Sequence, residues 1–256
     1  MRNPVAIGFY PGERIALKKM LENLIPKNSD KYEAIGAIVP HAGYIYSGKV
    51  AGATYSALKT SKKVFAIFCP NHTGLGSKIA LSQENWLTPL GEVRTFKLEK
   101  QFKRIKVDEL AHAYEHSLEV QLPFLQYLFK DFSILPVCLS HLALNEIKEV
   151  AKELVDERVF YIASSDFIHY GPMYGFDPFD GNVEEKLKKV KELDMKAIEF
   201  ILRLEPEKFY NFVVENELTI CGFVPITLLL FVAKELGAKK GKLISYASSY
   251  EVSKSS

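Results

Sequence analysis

Ile38-Val39-Pro40-His41-Ala42-Gly43-Tyr44-Ile45-Tyr46-Ser47-Gly48 is the stretch whose reading decides the fold. Ala34 to Val39 is a short apolar run of the kind that forms a strand buried on both faces. Pro40 lacks an N–H and ends the ladder. Gly43 and Gly48 allow a tight path, and a helix is expected to start near Gly48 and run to about Leu58. His41 is thus predicted at the carboxyl end of a parallel strand, where open α/β sheets bind their ligands. A loop histidine without a role is the alternative for this motif taken alone.

The pattern recurs further on. Val64 to Cys69 is a second apolar run, and it ends in Pro70-Asn71-His72-Thr73-Gly74. Strand, proline, histidine and glycine follow each other as before. Two parallel strands joined by a crossover helix would bring His41 and His72 to one edge of the sheet.

The rest of the chain alternates in the same way. Helical stripes cover Glu13 to Ile25, Val183 to Leu202, Pro206 to about Glu215 and Val224 to Leu236. Asn145 is expected to cap a helix ending at Leu154, and a helix reaching about Phe129 is expected to begin near Glu115 and His116. Strands are expected at Ile79 to Ser82, Ser133 to Leu139, Val159 to Ser164 and Lys242 to Ser248. Trp86 to Gly91 reads as a loop, Phe96 to Arg104 as either a short helix or a strand, and Ser253 to Ser256 as a frayed end. Together these predict one α/β domain over residues 1–256, with a central, mostly parallel or mixed sheet and helices on both faces.

Composition excludes several classes. With 48% hydrophobic and 25% charged residues and a net charge of +2, the chain has the balance of an ordinary globular protein. The densest basic cluster, Lys186 to Lys191, is flanked by Glu184, Glu185 and Glu192, which reads as a solvated helix face and gives no nucleic-acid footprint. No signal peptide is recognisable and the apolar run from Ile226 to Ala233 is too short for a bilayer, so no membrane partner and a cytoplasmic location are expected. Three cysteines, none in a C-x-x-C pair, do not make a disulfide framework. Phosphate-binding glycine loops and the G-x-S-x-G elbow are absent, which disfavours nucleotide-dependent enzymes and α/β-hydrolases.

The remaining polar groups gather at strand ends and helix starts: His41, His72, Asp166, His169 and Cys221, with Glu115 and His116. Two imidazoles and a thiolate make a three-ligand set suited to zinc, iron or copper with an open position. Cys221 lies just before a helix, where the dipole favours its thiolate; its alternative reading is a small buried hydrophobe. Asp166 could orient His169, making His169 a general acid/base beside the metal. Alternatively, Asp166 bonds only to its own loop. His112 and His116 lack the glutamate of an H-E-x-x-H site, and Cys69 and Cys138 fall within buried strands.

Pro40-His41-Ala42-Gly43-Tyr44-x-Tyr46-x-Gly48, Pro70-Asn71-His72, Glu115-His116-Ser117-Leu118-Glu119, Ser164-Ser165-Asp166-Phe167-x-His169-Tyr170-Gly171 and Ile220-Cys221-Gly222 occur in that order. Together with Phe9-Tyr10-Pro11 they resemble the Memo family, whose fold is similar to that of class III extradiol dioxygenases. The resemblance implies a metal pocket at one edge of the sheet. In it His41, His72 and Cys221 match the metal ligands, Asp166 and His169 the catalytic pair, and Tyr46, Tyr10 and His116 residues that contact a ligand. One transition metal is implied, iron or copper, with zinc as a further candidate. Cysteine in place of the dioxygenases' carboxylate favours softer metals. Metal-dependent oxidative chemistry is therefore one expectation. The other is a pocket that binds a small molecule or peptide without turnover. Zinc-dependent hydrolysis is a third, lower-ranked reading.

Overall fold

The computed structural model describes residues 1–97 and 101–253. Strands β1 (Tyr32–Glu33), β2 (Gly36–Val39), β3 (Leu58–Lys59), β4 (Val64–Pro70), β5 (Ile79–Leu81), β6 (Trp86–Thr88), β7 (Gly91–Thr95), β8 (Lys106–Val107), β9 (Ser133–Leu139) and β10 (Val159–Ser164) follow in chain order. Among them run helices α1 (Arg14–Leu24), α2 (Tyr44–Ser56), α3 (Leu122–Leu128), α4 (Leu144–Leu154), α5 (Val183–Leu202), α6 (Pro206–Glu215), α7 (Phe223–Glu235) and α8 (Ser249–Ser253).

The main sheet runs β2-β10-β4-β9-β5-β8, and β7 also pairs with β9. Strands β2, β10, β4 and β9 are mutually parallel, while β5 is antiparallel to β9. The expected α/β architecture with a mostly parallel, mixed sheet is what forms. The strands that carry His41 and His72 are not neighbours, however: β10 lies between them. Their shared edge therefore also receives whatever follows Ser164.

Period-two alternation splits the apolar residues between two cores. Ala66 and Phe68, Leu135 and Val137, and Tyr161 and Ala163 point to the side covered by α4, α6 and α7. Phe65 and Ile67, Ile134 and Cys138, and Phe160 and Ile162 point to the side covered by α1, α2 and α3. Helix α7 is buried without a break from Val224 to Ala233. On the other side, α1 and α2 touch backbone to backbone at Gly52, where a Cβ would lie 2.2 Å from the Leu24 carbonyl oxygen.

Four local expectations are corrected. Helix α2 begins at Tyr44, not near Gly48, because the Tyr44 N–H finds an acceptor in the distant Phe9 carbonyl at 2.8 Å. Trp86-Leu87-Thr88 is a strand: it pairs with β7 across a two-residue turn, and the indole is fully buried. Asn145 lies inside α4, whose cap is Ala143, with its N–H taken by the Glu146 carboxylate at 2.9 Å. Lys242 to Ser248 forms no strand. Its side chains are used elsewhere, Tyr246 on Asp194 of α5 and Lys242 over the Tyr32 ring. Within the undecided span Phe96 to Arg104, residues 98–100 lie outside the described residues, and the remainder is irregular. Ser253 closes α8, and the rest of the expected frayed end lies outside the described residues.

Candidate metal centre

Each of three adjacent strands at one side of the sheet ends by releasing a polar residue. Strand β2 hands over His41, β10 hands over Asp166, and β4 hands over His72. Cys221 comes from the turn before α7. Gly222 permits that turn, because a Cβ there would lie 2.4 Å from Cβ of Ser165. The Gly222 N–H instead donates to Ser165 Oγ at 3.0 Å, seating the turn against the end of β10.

Glu115 and His116, expected at a helix start, do not lie at one. They sit in a turn ahead of the 3-10 segment Glu119–Gln121 and of α3. That turn brings a third imidazole to the centre. Ring centroids are 5.2 Å apart for His41 and His72, 5.0 Å for His72 and His116, and 5.6 Å for His41 and His116. Phe9 stacks on His116 at 4.3 Å.

Two overlapping sets of donor atoms result, His41 with His72 and His116, and His41 with Asp166 and Cys221. Within each set the atoms lie within 4.8 Å of one another. Cys221 Sγ is 3.2 Å from His41 Nε2. The expected trio of His41, His72 and Cys221 thus spans both sets, with His41 common to them. His116, expected to meet a ligand, offers a nitrogen on the same footing as His72.

Charge favours a cation here. Burial lowers His41 to about 4, against the pull of Asp166, and burial also lowers His116, so both rings are neutral at pH 7 with lone pairs to offer. Burial raises Glu115, but hydrogen bonds and charge from His72 and the Ser117 hydroxyl and N–H overcome it and hold the carboxyl at about 2. Burial likewise raises Asp166, and the His41 ring, the N–H groups of His41 and Ala42, and His169 more than offset it. Burial pushes the Cys221 thiol well up, and the Asp166 charge adds to this. The helix start does not by itself supply a thiolate. Without a cation, the thiol keeps its proton and can donate it to His41 Nε2.

The outer contacts fit ligation too. The fully buried Glu115 accepts from His72 Nδ1 at 2.9 Å and from the His72 N–H at 2.7 Å. With Nδ1 turned back to Glu115, the His72 ring presents Nε2 to the centre, the arrangement that orients a metal-bound histidine. Glu115 was visible in the sequence as part of a motif, but its task was not. Its pairing with His72 crosses 43 residues.

Other expected residues lie further out. His169 Nδ1 meets the Thr219 carbonyl at 3.0 Å, and its Nε2 is 3.9 Å from Asp166 Oδ2. Tyr46 stands exposed on the first turn of α2. Tyr10 is buried, its hydroxyl held by the Glu119 carboxylate and its ring packed against Tyr44.

Fold and site together define an α/β protein with a histidine- and thiol-lined centre at the carboxyl edge of its sheet. The family model described as "Memo-like protein" matches residues 2–256, and the chain belongs to the Memo family. Similar proteins include a MEMO1 family protein of Methanosarcina mazei, 39% identical over 268 residues that cover 99% of this chain and 94% of that protein. A MEMO1 family protein of Pyrococcus abyssi is 38% identical over 277 residues, covering 100% of this chain and 95% of its own length. One of Archaeoglobus fulgidus is 39% identical over 262 residues, covering 98% and 94%.

Proposed function

We propose that this Memo-family protein binds one transition metal, iron or copper ahead of zinc, through His41, His72 and Cys221, with His116 beside them. We further propose that it uses the metal, with dioxygen as the oxidant, to oxidise a small aromatic or other redox-active molecule. The observation that supports this is the convergence of three imidazoles and a thiol, with two rings tied back to protein groups through Nδ1. A bound iron or copper would supply redox chemistry and a Lewis acid at an open position.

The chain's own residues would do the rest. The Thr219 carbonyl accepts from His169 Nδ1–H, so His169 Nε2 carries the lone pair that takes a substrate proton. Asp166 fixes the loop by accepting from the N–H groups of His41 and Ala42 at 2.9 and 3.2 Å. Among the described residues no helix is long and apolar enough to cross a membrane, and a cytoplasmic setting suits an exchangeable thiol.

A second reading has its own support. Exposed Tyr46 and Tyr174, the latter packed on His169, offer aromatic surface to a small molecule or peptide bound without turnover. Elemental analysis separates the two. Wild-type protein, reconstituted anaerobically with iron(II), copper(I) or zinc(II), is expected to hold one metal per chain and the His41→Ala, Cys221→Ser double variant none. No uptake of any of the three metals by the wild type would sink the metal reading and leave the ligand pocket.

A further inference from the structure

Behind His41 runs a closed chain of buried hydrogen bonds that ends on two backbone carbonyls. The side chains of Tyr55, Gln121, Ser117 and Ser164 are all buried, and His41 is 2% exposed. A backbone carbonyl can only accept. The Pro40 carbonyl lies 3.0 Å from Gln121 Nε2, which forces the amide nitrogen, not the oxygen, to that side. The same nitrogen donates to Ser164 Oγ at 2.8 Å, while Gln121 Oε1 accepts from the Tyr55 hydroxyl at 2.8 Å. The Ser117 carbonyl lies 2.7 Å from Ser164 Oγ and takes the only proton that hydroxyl has. Ser164 can then only accept from its remaining neighbour, His41 Nδ1, at 3.0 Å.

We infer that Ser164, itself oriented by Gln121 and the Ser117 carbonyl, is the positioning residue that locks His41 as its Nδ1–H tautomer, keeping Nε2 an open lone pair aimed into the metal centre. The unconstrained histidine side chain favours the opposite, Nε2–H tautomer, which would put a hydrogen where the metal must bind. His72 is held in the same sense by a carboxylate, whereas here a neutral hydroxyl does it. The lock gives direction without adding negative charge behind the ligand. This inference rests on the reading of His41 as a ligand only for its consequence, since the tautomer belongs to the metal-free protein.

The test is long-range nitrogen–proton NMR of the imidazoles in metal-free protein near pH 7.5, with His41 assigned through a His41→Asn variant, followed by zinc titration. Wild-type His41 is expected to show a protonated Nδ1 and a bare Nε2. Ser164→Ala is expected to move it toward the Nε2–H form and to weaken zinc binding on the order of 10- to 100-fold. Ser164→Thr, which keeps the hydroxyl, is expected to restore both. An Nε2–H tautomer in the wild type overturns the inference whatever the variants do, including a variant that fails to fold. So does a Ser164→Ala spectrum unchanged at His41. A wild type that shows the expected tautomer but takes up no zinc leaves the lock standing and removes zinc from the candidate metals.

Discussion

The two faces of the sheet are built on different principles. The face under α4, α6 and α7 is packed almost wholly with aliphatic and aromatic side chains. The face under α1, α2 and α3 buries Arg2, Glu115, Glu119, Gln121 and two histidines, His41 and His112. Arg2 pairs with Glu119 at 2.6 Å, donates to the carbonyls of His112 and Glu115, and lies over the Trp86 ring. Glu119 also accepts from the N–H groups of Val5 and Ala6, both at 2.9 Å, and from the Tyr10 hydroxyl. One face supplies cohesion that depends on area and shape. The other supplies directions, and those directions hold the candidate metal centre in place. A face of that second kind tolerates substitution poorly, since removing one partner strands the others.

Four experiments probe this contrast, the largest effect first. Glu119→Ala strands a buried guanidinium and three further donors, and is expected to cost about 3–5 kcal/mol in urea unfolding. A loss under 1 kcal/mol would show that the polar face adds nothing to the hold. On the apolar face, Ile226→Ala empties a fully buried site and is expected to cost about 2–5 kcal/mol. Metal stoichiometry should not change with it; if it does, the two faces are coupled and the division of labour fails.

The third experiment addresses Asp194, a buried acid on the otherwise apolar face. Burial raises its carboxyl from 3.8 to about 6, against the Tyr246 hydroxyl and the Ile168 N–H. The folded state therefore holds this proton more tightly than the unfolded one. The resulting stability is full below pH 4, falls as pH rises through 6 and is gone above, roughly 3 kcal/mol in all. Urea midpoints between pH 4 and 7 should lose that slope in Asp194→Asn, and a slope that survives assigns it elsewhere. Last, Glu115→Gln keeps the shape but removes the charge behind His72. Zinc affinity is expected to drop on the order of 10- to 100-fold, read by competition with a chromogenic chelator, and an unchanged affinity would remove Glu115 from the centre.

The same contrast explains what could be read from the chain. Strands β4, β9 and β10 are continuous apolar runs closed by Pro or Ser, and their limits were legible because burial on both faces leaves no other composition. His41, His72, Asp166 and Cys221 were legible as strand-end and turn residues. The tasks of Glu115, Ser164 and Gln121 were not. Each depends on a partner 43 residues away or more, and nothing local distinguishes such a side chain from a surface one. The Trp86 hairpin was missed because Thr88-Pro89-Leu90-Gly91 carries a proline where turns and loops look alike. The early start of α2 was hidden because its acceptor, Phe9, belongs to the N-terminal arm.

The position of β10 between β2 and β4 also has a consequence during synthesis. Strand β2 leaves the ribosome well before its partner in the sheet, and the His41–Asp166 contact that closes the edge spans 125 residues. At about 5–20 residues per second, the nascent chain carries an unpaired strand for roughly 6–25 s. Through that interval the His41 segment is a bare hydrophobic edge, open to chaperones and to neighbouring nascent chains alike. The proposed ligand Cys221 follows His41 by 180 residues, so a metal held by both is captured only after that span has been made and folded.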